Sequence, residues 1–272
     1  MALTDFQRTI CRLLADARIA SGESYVAGGV ALNTATAAAR VSRDIDLFHD
    51  TEAAVAAAWE ADRALLQGHG LVVDPMRERP GFVEARVEGA HDAVLVQWAR
   101  DSAYRFFPLV THPDFGLTLH PLDLAANKVL ALVGRVEVRD WVDLIACDGA
   151  IQPLGYLAFA ACGKDPGFSP LMILDQAART ARYSAGEVAA LDFGGSPPDP
   201  AALSREWRRM LEEAHAVLEW LPSGEAGSCV LTVEGPLCRA PARALQALRE
   251  GGHLRFHRGR IGGAWPEVLR KL

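Results

Sequence analysis

The chain has 272 residues, half of them hydrophobic, which is enough for one large domain or two smaller ones with a substantial core. Its net charge of -6 does not favour binding of nucleic acid over the whole surface, although a local basic patch could still hold a strand. Five scattered cysteines without a CxxC pair argue against a disulfide framework and against a zinc site. No apolar run reaches the roughly 18 residues of a membrane span, and the charged N-terminal segment lacks signal-peptide features, so we expect a cytoplasmic protein with no membrane partner.

The first part of the chain, to about residue 115, alternates helical and strand patterns in the way of a mixed α/β fold. An amphipathic helix is predicted over residues 1–18. The segments that follow are predicted as strand, helix, strand and helix, in that order: 24–29, 30–40, 42–50 and 51–70. Three strands joined by short polar turns complete this part: 71–76, 81–89 and 92–101.

The second part of the chain is predicted to be mostly helical. Pro121 suits the first turn of a helix over 119–135, where apolar residues recur at helical spacing until Gly134 interrupts them. Further helices, and the clearest loop between them, are predicted over these ranges: 137–148, 153–164, 169–184 and 201–222, with the loop at 192–200. The last stretch, 228–272, predicts two strands around a helix. We therefore expect an α/β domain over 1–117 and a mostly helical C-terminal domain with a small strand-containing tail over 118–272.

Two carboxylates and a glycine pair lie close together near the start of the chain. In a strand, residues i and i+2 face the same side, so Asp44 and Asp46 present their carboxylates to one place. Such a pair suits Mg²⁺ or Mn²⁺, which take carboxylates, water and substrate phosphates as ligands. Gly28 and Gly29 end the preceding strand, where absent side chains let backbone N–H groups and a helix N-terminus approach a phosphate. Each feature alone is typical of a plain turn or a solvated strand edge, but together they predict a site for an NTP and its metal.

Three stretches, GGVALN, RVSRDIDLF and the later DLAANKVLALVGRVEVRDWVDL, resemble the AbiEii/AbiGii nucleotidyltransferase family, whose members are often toxins of type IV toxin–antitoxin pairs. The resemblance covers residues 20–150 and implies a nucleotidyltransferase fold, in which a mixed sheet with flanking helices precedes a mostly helical C-terminal region. It also implies an activity, the Mg²⁺-dependent transfer of an NMP from an NTP to a hydroxyl of a tRNA end or of a protein side chain. A cognate antitoxin is a further implied partner.

The family pattern also implies roles for individual residues. Those that it assigns to the nucleotide site or to the metal are Gly28, Gly29, Ser42, Asp44 and Asp46, of which the two acids hold the metal. It implies that Lys128 contacts nucleotide phosphate and that Asp140 is a catalytic acid, with Asp143 one turn later. By itself, a lysine in an apolar helix either reaches to water or is directed at an anion, and Arg139 could simply pair with Asp143 on an exposed helix face. The family pattern favours the functional interpretation of Lys128 and Asp140.

One departure concerns a third carboxylate. Enzymes of this wider fold usually carry one on a later strand, where it binds metal and can draw the proton from the attacking hydroxyl. Gln97 stands at the best-matching position, and an amide cannot act as a base. Asp101, four residues further along the same face, and Glu84, on a neighbouring strand, are the candidate replacements. Two other functions stay open: transfer to a small molecule such as an antibiotic, and a non-catalytic NTP-binding relative that acts as an interaction module, which Gln97 favours.

Overall fold

The chain forms alternating helices and strands first and mostly helices later. The structure is a computed structural model that describes residues 3–179 and 183–266. Up to residue 118 the elements are, in chain order, α1 (Asp5–Ser21), β1 (Ser24–Ala27), α2 (Gly28–Ala35), β2 (Asp44–His49), α3 (Glu52–Gly68), β3 (Val72–Arg79), β4 (Phe82–Glu88), β5 (Ala93–Arg100), β6 (Tyr104–Arg105), β7 (Val110–His112) and β8 (Gly116–Thr118). From residue 121 onward they are α4 (Pro121–Arg135), α5 (Val138–Ala150), α6 (Leu154–Ala161), α7 (Pro170–Arg179), α8 (Ala185–Ala189), α9 (Pro200–Trp220), β9 (Ser228–Thr232), α10 (Ala242–Glu250), β10 (Leu254–Arg258) and β11 (Arg260–Ile261).

A seven-stranded mixed sheet forms the centre of the first of two compact units, which comprises the residues up to 103, then 109–120 and 192–195. The strand order is β3-β4-β5-β2-β1-β8-β7. β2 is parallel to β5 and β1 is parallel to β8, while the other neighbours are antiparallel. The predicted mixed α/β fold is confirmed. The prediction lacks β7 and β8, because strands of three residues are too short to show an alternating pattern.

One side of this sheet is buried under helices. Alternate strand residues such as Ile45, Leu47 and Trp98 are fully buried on the side where α1 and α3 pack. Local signals start both helices, since Thr4 accepts a hydrogen bond from the first turn of α1 and Thr51 does the same for α3. The other side of the sheet carries half-buried residues, among them the side chains of the candidate site.

The second compact unit comprises residues 104–108, 121–191 and those from 196 onward. Its core includes the following buried residues: Tyr156, Phe159, Val217, Leu221, Val230, Cys238 and Leu245. The long helix α9 begins where Asp199 caps its first amides and Pro200 takes the first helical position, where a missing N–H costs nothing. As predicted, two strands flank a helix near the end: β9 and β10 pair antiparallel around α10. The short pair β6 and β11 is absent from the prediction.

The chain changes from one unit to the other between residues 120 and 121, and each unit also holds a short segment from elsewhere in the sequence. The single domain boundary at 117 and 118 stays a prediction. Residues 180–182 of the predicted helix 169–184, and 267–272 of the predicted last stretch, lie outside the described residues. In the described part of the chain no single helix is long and apolar enough to cross a membrane; only α5 and α6 together reach that length and hydropathy, and they are bent by 111°.

Candidate active site

Asp44 and Asp46 lie on the half-buried side of β2. The residues of this strand alternate, with Asp44 and Asp46 partly exposed and Ile45 and Leu47 fully buried on the opposite side. The structure therefore brings the two carboxylates to one side of the sheet, as the alternating pattern predicts. The neighbouring strand β1 ends beside them, because Ala27 pairs with Asp46 in the antiparallel register.

Gly28 fits a space that no other residue could occupy. Its φ of +63° lies in the left-handed region, which is costly for residues that carry a Cβ atom. A Cβ atom added here would lie 1.7 Å from Oδ2 of Asp46, so the Asp46 carboxylate sits directly against the Gly28 backbone. Gly28 is also the first residue of α2, and its N-cap residue Ala27 contributes no side-chain hydrogen bond. One carboxylate of the predicted metal pair is thus held at the N-terminus of the predicted phosphate-binding helix.

Gly29 makes room for a second cluster of polar side chains. A Cβ atom at this position would lie 2.7 Å from Oγ of Ser42 and 2.8 Å from Nη2 of Arg40. The Ser42 hydroxyl donates a hydrogen bond of 2.9 Å to Oδ1 of Asp44. Ser42 therefore orients the second carboxylate while it packs against the second glycine. The five predicted site residues of this unit therefore form two adjoining contacts, Gly28 with Asp46, and Gly29 with Ser42 and Asp44.

Arg40 is a site residue that the sequence analysis missed. Its side chain is 5% exposed and its guanidinium lies against Gly29, within reach of the same α2 N-terminus. A cation beside backbone N–H groups adds to the attraction for phosphate. The signal was present in the sequence, because Arg40, Ser42, Asp44 and Asp46 follow one another at every second position.

A distant segment holds the backbone of this motif. Val41 donates its N–H to the carbonyl of Asp192 at 2.9 Å, and Gly194 donates to the carbonyl of Ala39 at 2.7 Å. Arg43 also forms an exposed ion pair with Asp192. The sequence predicts a loop over 192–200, and a loop gives no reason to connect this segment with the motif. The contacts fix the entry into β2 and hence the position of Ser42.

The donor set at Asp44 and Asp46 fits a hard divalent cation. Within the described residues there is no group of three or more His, Cys, Asp or Glu side chains that could hold a metal ion entirely from the protein. Mg²⁺ does not need one, because it is usually bound by one or two carboxylates and completes its octahedron with water and substrate phosphates. Two carboxylates beside a helix N-terminus match that mode of binding.

Lys128 and Asp140 form a buried charged cluster in the second unit. Lys128 Nζ lies 2.9 Å from Oδ1 of Asp140 and 3.0 Å from Oδ2 of Asp143. Arg135 Nε contacts the other oxygen of Asp140 at 2.8 Å. Burial lowers the pKa of Lys128, but the charges of Asp143 and Asp140 outweigh burial and leave its pKa above the usual value. The lysine is therefore charged, and neither reaches to water nor stands alone in its apolar helix.

The alternative interpretation of the start of α5, an exposed ion pair between Arg139 and Asp143, is wrong. Arg139 does not pair with Asp143 on an exposed helix face; its guanidinium contacts Glu137 at 2.6 Å instead. Asp143 is 1% exposed and is paired with Lys128. Burial raises the pKa of Asp140, but the hydrogen bond from Arg135 and the charge of Lys128 outweigh it and lower the pKa below the usual range. A contact between Lys128 and nucleotide phosphate stays a prediction.

The hypothesis that Asp101 acts as the base is wrong. Asp46 pairs with Gln97 in the parallel register of β2 and β5, so Asp101 lies four residues beyond that level. At about 3.3 Å per residue this displacement is roughly 13 Å along the strand, too far for a hydrogen bond through one water. Asp101 instead accepts a hydrogen bond from the backbone of Ser102 at 2.7 Å and donates its own N–H to the carbonyl of His49.

Comparison with known proteins decides the family. The model of the nucleotidyl transferase AbiEii toxin family, type IV toxin–antitoxin system, matches residues 12–216. The chain belongs to this family. This AbiEii-family protein is therefore a nucleotidyltransferase, and the resemblance in its sequence motifs is confirmed.

The chain is similar to solved structures at low sequence identity. The nucleotidyltransferase toxin MenT4 from Mycobacterium tuberculosis H37Rv is 16% identical, with a TM-score of 0.51 over 76% of this chain and 80% of that chain. JHP933 from Helicobacter pylori is 14% identical, with a TM-score of 0.48 over 78% of this chain and 90% of that chain. A search among curated proteins found no significant match.

Proposed function

We propose that this AbiEii-family protein transfers an NMP from an NTP to a hydroxyl of a tRNA end or of a protein side chain, with Mg²⁺ or Mn²⁺ held by Asp44 and Asp46. The observation that carries the proposal is the pair of close approaches at the start of α2. Asp46 lies against Gly28, and Ser42 lies against Gly29 while it binds Asp44. This arrangement supports the proposal, because it brings two carboxylates next to the backbone at the N-terminus of α2.

Different residues of the first unit bind different parts of the triphosphate and its metal. The backbone N–H groups of Gly28 and Gly29, at the positive end of α2, bind and orient phosphate oxygens. Arg40 adds a positive charge beside them, and Ser42 keeps Asp44 in the orientation that a cation requires. A bound Mg²⁺ would neutralise charge on the reacting phosphates and align them for in-line attack.

The proposal also includes Lys128 and Asp140. Lys128 contacts nucleotide phosphate with its charged amine, and Asp140 positions that amine. The support is local to the second unit. Lys128 is held between two carboxylates, and Arg135 fixes Asp140 from its other side. A lysine held in this way presents its charge in one place, which a flexible surface lysine does not.

The test is transfer of label from each of four radiolabelled NTPs in Mg²⁺, with total tRNA or lysate protein as acceptor. We expect label in one of the two acceptor fractions, and its loss when a chelator removes the metal. Asp46→Ala should abolish transfer while the protein stays folded, because two converging carboxylates without metal repel each other. Asp16→Ala is the matched control, since Asp16 is an exposed acid on α1 outside the site. Transfer by Asp46→Ala at the wild-type rate would contradict the proposal.

The acceptor and the antitoxin are the finer parts of the proposal. Label on neither fraction, but on an added aminoglycoside or another small hydroxyl compound, would assign the protein to small-molecule nucleotidylation instead. We also expect that expression of the wild-type chain arrests growth, that Asp46→Ala relieves the arrest, and that a cognate antitoxin encoded beside the gene restores growth. Arrest that persists with Asp46→Ala would show that toxicity does not depend on transfer.

A further inference from the structure

A row of polar side chains extends from Asp46 across the half-buried side of the sheet. In the register of β2, β5 and β4, Asp46 pairs with Gln97 and Gln97 pairs with Glu84. Residues paired on neighbouring strands point to the same side of a sheet. The burial pattern agrees, because these three residues are half-buried while their sequence neighbours are buried on the other side. With strands about 4.8 Å apart, Glu84 starts roughly 10 Å from Asp46, a gap that its long side chain partly spans.

Gln97 holds the carboxylate of Glu84 by a hydrogen bond. The Nε2 amide of Gln97 donates to Oε2 of Glu84 at 2.8 Å. An amide donor to one carboxylate oxygen orients the group. Beyond Glu84, Arg77 of β3 is its partner in the register, and Arg86 follows on the same side of β4. Gln97 therefore stands where a carboxylate is expected and binds another carboxylate, that of Glu84, through its amide.

The proposed transfer needs a proton acceptor. The oxygen of the acceptor hydroxyl forms a bond to the α-phosphorus, the bond from that phosphorus to the bridging oxygen of pyrophosphate breaks, and the hydroxyl proton must leave. Asp44 and Asp46 would hold the metal, and Asp44 also accepts the hydroxyl of Ser42. Asp140 is paired with Lys128 and Arg135, and Asp101 lies too far along its strand. We propose that Glu84 accepts this proton, directly or through one water, and releases it to solvent, with Gln97 as its positioning residue. The inference rests on the proposed function, because it requires a hydroxyl acceptor at Asp46.

The experiment compares rates of transfer under saturating NTP for three variants. Glu84→Gln keeps a hydrogen bond to Gln97 but loses the base, so we expect the rate to fall by about 10²–10⁴-fold. Affinity for a non-hydrolysable NTP and the melting temperature should stay at wild-type values. The double variant Glu84→Gln with Gln97→Glu exchanges the two groups, moves the carboxylate to the strand beside Asp46, and should recover at least tenfold. Glu78→Gln is the control, because Glu78 is exposed on β3 and pairs with Val83, on the other side of the sheet.

The possible outcomes distinguish the role of Glu84 from the proposed transfer reaction. If the wild-type protein transfers label and Glu84→Gln does so within twofold of its rate, the proposed function stands and Glu84 is not the base. If Glu84→Gln is slow and the exchanged double variant is equally slow, the loss is structural and the inference fails. If the wild-type protein transfers no label from any NTP, both proposals fail together.

Discussion

Gly28→Ala separates the two reasons for a glycine at the start of α2. The first reason is backbone strain, since φ is +63° and the left-handed conformation costs a residue with a Cβ atom about 1–2 kcal/mol. The second is space, since the new methyl carbon would lie 1.7 Å from Oδ2 of Asp46. Such a contact cannot persist, so the Asp46 carboxylate has to rotate away or the N-terminus of α2 has to move. A displacement of about 1 Å at a reacting centre can cost about 10²-fold in rate.

The control is Gly22→Ala, because Gly22 has the same kind of backbone without the contact. Gly22 ends α1 with a φ of +67°, and a Cβ atom there would meet nothing within 4 Å. We expect Gly22→Ala to lower the free energy of unfolding by about 1–2 kcal/mol and to leave the rate of transfer unchanged. Gly28→Ala should be less stable than that and should lose at least about 10²-fold in rate.

Urea unfolding and label transfer measure the two effects on the same preparations. In the background of Asp46→Ala only the Cβ atom of residue 46 stays near the new methyl carbon, at 3.0 Å, so adding Gly28→Ala should then cost less stability than it does in the wild type. The reasoning would be refuted if Gly28→Ala matched Gly22→Ala in both stability and rate, because Asp46 would then not be held against the helix.

Two further predictions concern buried ionisable groups. Lys128→Met should lower the free energy of unfolding by about 3–5 kcal/mol, because Asp140 and Asp143 stay buried without the lysine; a loss below about 1 kcal/mol in urea unfolding would contradict the buried ion pairs. Burial lowers the pKa of His49 from 6.5 to about 4. The contribution of neutral His49 to the free energy of unfolding is therefore complete above pH 6.5 and is lost as the pH falls towards 4. That loss amounts to about 3 kcal/mol and should vanish in His49→Gln but not in the exposed control His91→Gln; equal pH dependence in all three proteins would contradict the lowered pKa.

The sequence by itself determined the parts of the site that depend on neighbouring residues. An alternating strand sends Asp44 and Asp46 to one side whatever surrounds it, because successive side chains of a strand point in opposite directions. Gly28 is likewise informative at short range, since a strand that turns directly into a helix here needs a residue that tolerates a positive φ. The family motifs are local in the same sense, because they are short runs of residues that can be recognised from the sequence alone.

Only the tertiary structure decided which distant side chains meet. No pattern in the sequence gives the order of strands in a sheet or the register between them, and a shift of that register would move Glu84 away from Gln97. The same register places Asp101 beyond reach, although its spacing from Gln97 in the sequence predicts the same side of one strand; β5 ends at Arg100, one residue before it. In the second unit, Lys128 shares its charge between two acids on the next helix, a contact that only the packing of α4 against α5 creates. These contacts depend on how whole elements pack, and that packing is set by burial of apolar surface over the entire unit rather than by any local run of residues.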